Sequence, residues 1–590
     1  MSIVFFFVFF YPLMMSALWV VGSLVFYFKH EARSGDPTRL PAYPRVAILV
    51  PCHNEALVIR DTIERLAENR YPNFEIIAVD DGSTDMTAAI LEELAMEVSG
   101  LRVVHLKANY GKAMALNAGA LASDAEYLMC IDADALLDRN ALFWMMRHFL
   151  DGPRVGAVTG NPRVINRGSL LSRIQIGEYS AIVGMVKRAQ RGFGRLFTVS
   201  GVNACFRRSA VHSVGYWSPA TVTEDIDISW RLQLHHWDIR YEPRALTWIL
   251  VPQTFRSLWR QRLRWARGGA EAALKYAPAL FHWRKRRMWW VYAEYVFSVT
   301  WCFAFALTVL FFLATVTLPG SLWPQPLAVP TLLPGWAGVL LGLMCLVQFA
   351  VSLALDSLYE RQGLLRYLYW AIWYPAVYWL LSAATTVVAV PKALSGRRRL
   401  RYGIWRSPER AADGRILQVM RKKRPERRMF YNVQRMASSV LETVVTLIFW
   451  GAWVYLVTPL LSLVLWLAGV YLFIDRMVLM GGYQSFVADL EKLGLPIVVM
   501  VGGYFLWVGW NWWRFNRIDR RVTAAPPVTT EQIAYAFGIS PAVVGQVRRA
   551  RRLSVFFTER NRPIVDRLMV GDVPAAQIPA AATPPDSVHR

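Results

Sequence analysis

The chain has 590 residues, more than one hydrophobic core serves, so several domains are expected. It is 55% hydrophobic with a mean hydropathy of +0.28, high for a soluble protein. The net charge of +24 would suit a nucleic-acid binder, but the basic residues cluster beside apolar stretches (29–33, 256–267, 284–287, 397–401, 421–428 and 514–521), the positive-inside pattern of a membrane protein, and no nucleic-acid partner is expected.

The first apolar stretch, 5–28, has no basic segment before it and no small-residue cleavage site after it, so it reads as an anchor within 1–29. Lys29, His30 and Arg33 follow and place 30–288 in the cytoplasm. There, residues 45–51 are a short apolar run like a buried parallel strand, 56–69 have helical spacing, and 75–79 form a second strand. A helix over 84–98, a strand over 101–106, a helix over 112–121 and a strand over 126–131 continue the alternation. It predicts an α/β domain with a parallel sheet and ligands at the carboxyl ends of its strands. The five cysteines (Cys52, Cys130, Cys205, Cys302, Cys345) lack the spacing of a zinc site or a disulfide framework, in keeping with a reduced compartment.

The first strand ends in Pro51-Cys52-His53-Asn54-Glu55 and the second in Asp80-Asp81-Gly82-Ser83-Thr84-Asp85. A carboxylate there accepts hydrogen bonds from a uracil N–H or a ribose hydroxyl, and Gly82 lets the backbone turn sharply. Helix capping by Ser83, Thr84 or Asp85 is the plainer role, and it leaves the two aspartates unexplained. Asn54, Glu55, Asp80 and Asp81 are the candidate substrate contacts at this edge.

Asp132 and Asp134 flank Ala133 after the fourth strand. In extended chain, positions i and i+2 share a face, so both carboxylates approach one cation, and hard oxygens favour Mg²⁺ or Mn²⁺ bridging two phosphates; an ordinary polar turn is the alternative. Thr223-Glu224-Asp225 opens a helical pattern over 226–234. It serves as an N-cap followed by acids, or it aims Asp225 as a general base, and the two roles are compatible. Gln261-Arg262-Leu263-Arg264-Trp265 lies in a basic, aromatic, amphipathic stretch, 255–265, suited to anionic lipid; its arginines also suit a diphosphate and its tryptophan a sugar ring.

Apolar stretches at 289–318, 332–355 and 365–390 make a bundle within 289–396. The basic linker 397–436 should again be cytoplasmic, so three full crossings would end on the wrong side; 365–390, interrupted by Pro375, is the stretch expected to lie in the interface or re-enter. Stretches 441–473 and 495–513 form a second membrane unit, 437–515. The polar segment 516–572 reads as two short helices, near 528–532 and 539–547, and a strand at 553–557; 573–590, rich in Ala and Pro, is expected to be disordered.

The four motifs in this order, followed by membrane-length stretches, resemble the D, DxD, TED and QxxRW signatures of processive family 2 glycosyltransferases such as cellulose, chitin and hyaluronan synthases. Within that group, 1–410 looks most like bacterial poly-β-1,6-N-acetylglucosamine synthases. Val158-Thr159-Gly160-Asn161-Pro162-Arg163, Gly177-Glu178-Tyr179-Ser180, Phe197-Thr198-Val199-Ser200-Gly201, residues 223–230, residues 261–269 and Trp405-Arg406-Ser407-Pro408-Glu409-Arg410 carry the likeness. The resemblance implies a GT-A-like (Rossmann-like) α/β cytoplasmic domain embedded between transmembrane helices of a bacterial inner membrane. It implies metal-dependent, inverting transfer of N-acetylglucosamine from UDP-GlcNAc to a growing polysaccharide, which export proteins then receive. Asp81 would bind uridine, Asp132 and Asp134 the metal and diphosphate, and Asp225 would be the base. Lys112 would approach the phosphates, Glu224 would be a substrate contact, and Gln261, Arg262, Arg264 and Trp265 would hold diphosphate and the acceptor end. Many such synthases carry another membrane helix ahead of the one matching 5–28.

The tail, 437–590, resembles the small membrane accessory subunit of these synthases, here fused and expected to pack against 289–396 within the membrane. In that family the pair responds to cyclic di-GMP, for which Arg410, Arg548, Arg549, Arg551 and Arg552 are candidates; they suit anionic lipid equally. Two other classes stay open. A non-processive transferase acting on a polyprenyl phosphate would not need residues 261–265. A transporter or scaffold would not need aspartates at three successive sites.

Overall fold

Residues 46–52 are apolar without alternation, and in the computed structural model they form β1 (Val46–Cys52), buried along its whole length as a strand covered on both faces must be. The structure describes residues 2–32, 38–192, 194–318, 335–360, 363–373, 378–395, 440–454, parts of 484–513, 525–558, 561–570 and 573–574. Arg410, the linker 397–436, much of the unit 437–515 and residues 575–590 lie outside the described residues.

Strand β1 pairs in parallel with β2 (Phe74–Asp81) on one side and β4 (Tyr127–Ile131) on the other, and β2 pairs in parallel with β3 (Leu101–Leu106). The crossovers are α2 (Ile59–Ala67), α3 (Thr87–Glu97) and α4 (Lys112–Ala122). The strand order reverses at β1, which opens a crevice at the carboxyl ends there.

Beyond β4 the sheet is mixed, where a parallel one was expected. After β5 (Leu136–Leu137) and α5 (Ala141–Leu150), β6 (Val155–Val164) delivers the chain to the same end as β4. There run α6 (Leu170–Glu178), a π-helical segment (Tyr179–Met185) and α7 (Val186–Gly192). Strand β7 (Asn203–Arg207) starts from that end without a return crossover, so it lies antiparallel to both β4 and β6. After α8 (Arg208–Ser213) and α9 (Glu224–Leu234), β8 (Asp238–Ile249) pairs in parallel with β6 and antiparallel with β5.

Helix α10 (Phe255–Leu280) leads into α11 (Trp289–Thr317). Among the described residues, three helical stretches are long and apolar enough to cross a membrane: Val4–Glu31, which contains most of α1 (Ser2–Phe26), Trp283–Thr317, and Leu340–Ser357 of α12 (Gly335–Ser357). The stretch 365–390 is divided between a 3₁₀ segment, Leu364–Ile372, and α13 (Leu380–Leu394), whose 15 residues fall short of the ~20 a perpendicular span needs.

A buried charge cluster joins these helices to the sheet. Arg163 of β6 contacts Asp356 (2.5 Å) and Glu360 (2.9 Å), and Arg188 of α7 contacts Asp356 (2.9 Å) and Glu31 (2.8 Å). Arg167 pairs with Glu360 and Tyr359 with Glu31. Three arginines meet three acids, so the charge cancels where water is excluded.

The tail divides its contacts. Helix Val440–Val454 meets the bundle as expected: Trp373 Nε1 donates to Thr446 Oγ1 (3.0 Å) and Trp450 Nε1 to the Tyr369 carbonyl (2.9 Å). Tyr504 packs instead with Tyr11, Met15 and Leu18 of α1. The polar segment forms α14 (Thr530–Phe537), closed by Gly538 at φ +65, and α15 (Pro541–Arg549), capped by Ser540. Strands β9 (Arg552–Phe557), β10 (Pro563–Val570) and β11 (Val573–Pro574) follow, so Val573 and Pro574, expected in a disordered tail, are paired. Strand β9 pairs in parallel with β3, giving the described sheet the order β11-β10-β9-β3-β2-β1-β4-β7-β6-β8-β5.

Candidate active site

The carboxyl ends of β1 and β2 meet in a polar rim. Gly82 has φ +62, and a Cβ there would lie 2.6 Å from the carbonyl carbon of Ala108, so only glycine fits. The close approach lets Asp81 accept from the backbone N–H groups of Tyr110 (2.8 Å) and Gly111 (2.7 Å). Asp80 accepts from the Ser83 N–H (3.1 Å) and lies 3.2 Å from His105 Nδ1, whose Nε2 is 2.6 Å from Glu92. Burial opposes charge on His105, but hydrogen bonds to Asp80 and Glu92 hold its imidazolium up to about 9. Burial pushes Asp81 up to about 6 against its two N–H donors. Both aspartates are buried, so their carboxylates shape the rim. Exposed Asn54, at φ +55, accepts from the Thr84 N–H (2.8 Å), while buried Glu55 has its N–H on Thr87 Oγ1 (2.8 Å).

Asp132-Ala133-Asp134 is a turn rather than extended chain: the Ala135 N–H donates to the Asp132 carbonyl at 3.1 Å. The turn follows from β4 ending at Ile131 while β5 must reach β8. Both aspartates still line one cavity. Lys112, the first residue of α4, gathers two acidic motifs: its ammonium donates to Asp132 (2.5 Å) and the Gly201 carbonyl (3.1 Å) and lies 3.2 Å from Glu224. Burial and the neighbouring Glu224 push Asp225 up to about 6, against Lys112 and Arg264.

Thr223 occupies the N-cap position of α9, but its side chain makes no capping bond. It is packed under Gly268 of α10, where a Cβ would lie 2.0 Å from Thr223 Oγ1. Contact with α10, not a cap, therefore fixes the start of α9. From α10, Gln261, Arg264 and Trp265 line the cavity. Arg262 turns away, paired with Glu178 (2.7 Å) and 4.2 Å from the centre of the Trp265 ring.

The cavity holds about 680 Å³ and runs from Lys112, Asp132 and Asp134 past Asp225 to Tyr11, Trp19 and Glu294 of the spanning helices. Asn54, Glu55, Asp80 and Asp81 stand beside it, joined to it through the loop that precedes Lys112. Sequence reading missed Lys187, Gln190 and Glu294 in its wall. Glu294 accepts from Trp19 Nε1 (3.2 Å) and Gln190 Nε2 (3.0 Å), and a lone acid in an apolar span was the available signal. Burial pushes the Lys187 ammonium down to about 7, against the pull of Asp225.

Among the described residues no three His, Cys, Asp or Glu side chains converge as a metal site. Asp132 and Asp134 offer hard oxygens on one wall, which fits a cation that takes its other ligands from a diphosphate and water.

The family model for Glycosyl transferase family 2 matches residues 47–215, and that for PgaD-like protein matches 430–564. The chain is 37% identical over 411 residues to a poly-beta-1,6-N-acetyl-D-glucosamine synthase of Staphylococcus epidermidis, covering 69% of this chain and 98% of that protein. It is 37% identical over 408 residues to the synthase of the same name from Staphylococcus aureus strain COL, covering 68% and 98%. A solved mannosyltransferase from Pyrobaculum calidifontis, in complex with GDP-Man and Mn²⁺, aligns at TM-score 0.44 and 20% identity over 65% of this chain and 100% of that one. With the relatives matched nearly end to end and both family models in one chain, the protein belongs to the poly-β-1,6-N-acetylglucosamine synthase family of family 2 glycosyltransferases, with a PgaD-like region fused behind the synthase portion.

Proposed function

We propose that the protein polymerises N-acetylglucosamine from UDP-GlcNAc into poly-β-1,6-N-acetylglucosamine at a bacterial inner membrane, processively, and feeds the growing chain into the membrane. The observation that carries this reading is the continuity of one cavity from Asp132, Asp225 and Trp265 to Tyr11, Trp19 and Glu294. Gln261 and Trp265 in the wall of that cavity favour a polymer acceptor over a polyprenyl phosphate. The named relatives support the sugar and the product.

In this reading Asp225 takes the proton of the acceptor hydroxyl as it attacks with inversion. A carboxylate near 6 is mostly ionised at neutral pH and still a competent base. Gln261 and Trp265 hold the acceptor end, with Arg262 fixed behind the tryptophan ring. Arg264 and Lys112 face the leaving diphosphate, and Glu224 steadies Lys112. Asp132 and Asp134 would hold Mg²⁺ or Mn²⁺, which when bound offsets charge on the departing nucleoside diphosphate. The rim of Asn54, Glu55, Asp80 and Asp81 serves the uridine. The product passes to export proteins beyond the membrane.

Activation by cyclic di-GMP belongs to the same proposal, at the junction of tail and sheet. Arg548 donates there to Thr530 Oγ1 (3.1 Å), Arg551 to the Ala95 carbonyl, Arg552 lies 2.9 Å from Glu92, and Arg549 is exposed; Arg410 precedes the tail. Synthesis that ignores added cyclic di-GMP would remove this part.

Labelled UDP-GlcNAc given to membranes should yield high-molecular-weight product, and a lipid-linked monosaccharide alone would overturn the reading. Chelation should stop synthesis and Mg²⁺ or Mn²⁺ restore it, with Asp132→Ala and Asp134→Ala each weakening metal-dependent donor binding. Full activity in excess chelator would remove the metal role.

A further inference from the structure

Strand β3 would be the edge of the catalytic sheet were it not for the tail. Strand β9 covers it in parallel register, Val103 with Arg552 through Leu106 with Val555. The Val103 N–H donates to the Arg551 carbonyl (3.1 Å) and the Lys107 N–H to the Val555 carbonyl (3.3 Å). Arg102 of β3 reaches back to the Ala550 and Val547 carbonyls, both at 2.9 Å. Phe537, Val547, Leu553 and Phe557 share one core with Met114, Ala118 and Leu121 of α4. This is strand addition in its usual form, with main-chain bonds for affinity and side chains for register.

Two lines of contact run from β9 into the rim. Arg552 Nε lies 2.9 Å from Glu92, Glu92 lies 2.6 Å from His105, and His105 lies 3.2 Å from Asp80. The Phe557 ring meets the Tyr110 ring edge-on at 5.3 Å, and the Tyr110 and Gly111 N–H groups are those that hold Asp81. Lys107, at the start of that loop, pairs with Asp566 of β10 (2.9 Å) and lies over the Phe556 ring at 4.7 Å. The tail thus touches the partners of both aspartates and neither aspartate itself.

We propose that the tail's β9 strand is a positioning element for the nucleoside side of the donor site: by fixing Glu92, His105 and the loop 107–111 it sets the carboxylates of Asp80 and Asp81. The idea rests on the reading of that rim as the uridine site. The tail then tunes affinity for the nucleotide and leaves the chemistry at Asp225 alone. Docking of 530–574 and donor binding favour each other, since a ligand that prefers the ordered rim also prefers the docked strand.

The test uses the full chain in membranes or detergent, with UDP alone as the binding probe and UDP-GlcNAc for kinetics. Glu92→Gln and Phe557→Leu should each raise the UDP Kd and the donor KM on the order of tenfold, while kcat stays within about twofold. Arg552→Ala should raise KM similarly, Arg552→Lys should recover part of it, and Arg552→Ala with Glu92→Gln together should do no worse than the worse single change. Unchanged UDP affinity in Glu92→Gln and Phe557→Leu, or a fall in kcat at constant KM, overturns the proposal. Asp81→Asn separates it from the reading beneath it. If Asp81→Asn weakens UDP and the tail-side variants do not, only the positioning role fails. If Asp81→Asn also leaves UDP affinity unchanged, the rim is not the uridine site and both fail.

Discussion

Asp225 combines burial, an adjacent acid and two nearby cations, and the balance leaves it near 6. A base in that range gives a testable pH profile. Its working form is the carboxylate, so kcat should fall as pH drops through about 6 and level off above it. Asp225→Asn should remove synthesis by about 10²–10⁴ in rate while UDP binding persists, measured as polymer formed and as UDP Kd. Near wild-type synthesis by the Asn variant would leave Asp225 without a chemical role. The candidate residues on polar strand ends were legible because each follows an apolar run. Lys187 was not, since a lysine on a helix reads as surface until the sheet closes over it and sets it 3.4 Å from Thr159 Oγ1.

The elements show why local patterns give only part of the geometry. Residues 101–106 occur as the expected strand. Asp132-Ala133-Asp134 does not stay extended, because Leu136 and Leu137 just beyond it pair with β8, a strand reached only after α6, α7, α8 and α9. Threonine at the N-cap of α9 looked sufficient from sequence, yet its environment is α10. Gly268→Ala would place a Cβ 2.0 Å from Thr223 Oγ1, against the start of α9. Forcing the two helices apart should cost about 1–3 kcal/mol and shift Asp225 with them. Lowered thermal stability with a larger loss of kcat is the expected outcome, and an unchanged kcat would show that α10 does not fix the base.

At the scale of the molecule, charge and strand pairing join parts that sequence reading treated as separate. Glu31, Arg163, Arg188 and Asp356 are all essentially sealed from water. Arg163→Met would leave acids buried without their partner, which costs about 3–5 kcal/mol. A fall in the thermal midpoint should show it, and restoring charge balance with Asp356→Leu in the same chain should recover part of the loss. The tail's membrane contacts with 364–373 matched expectation, whereas its place in the catalytic sheet did not, because periodicity marks a strand and is silent about its neighbour. Deleting 437–590 should lower synthesis, and supplying that segment as a separate chain should restore part of it; unchanged synthesis would make the tail dispensable. The fusion also sets a birth order. Arg102 and Ala550 meet across 448 positions, so β3 leaves the ribosome long before its partner exists. Until then a nascent chain exposes a raw sheet edge, the kind of template that recruits stray strands. Truncated translation products that stop before β9 should therefore aggregate more readily than the finished enzyme, which makes a strand synthesised near the end of the chain its protection against self-association.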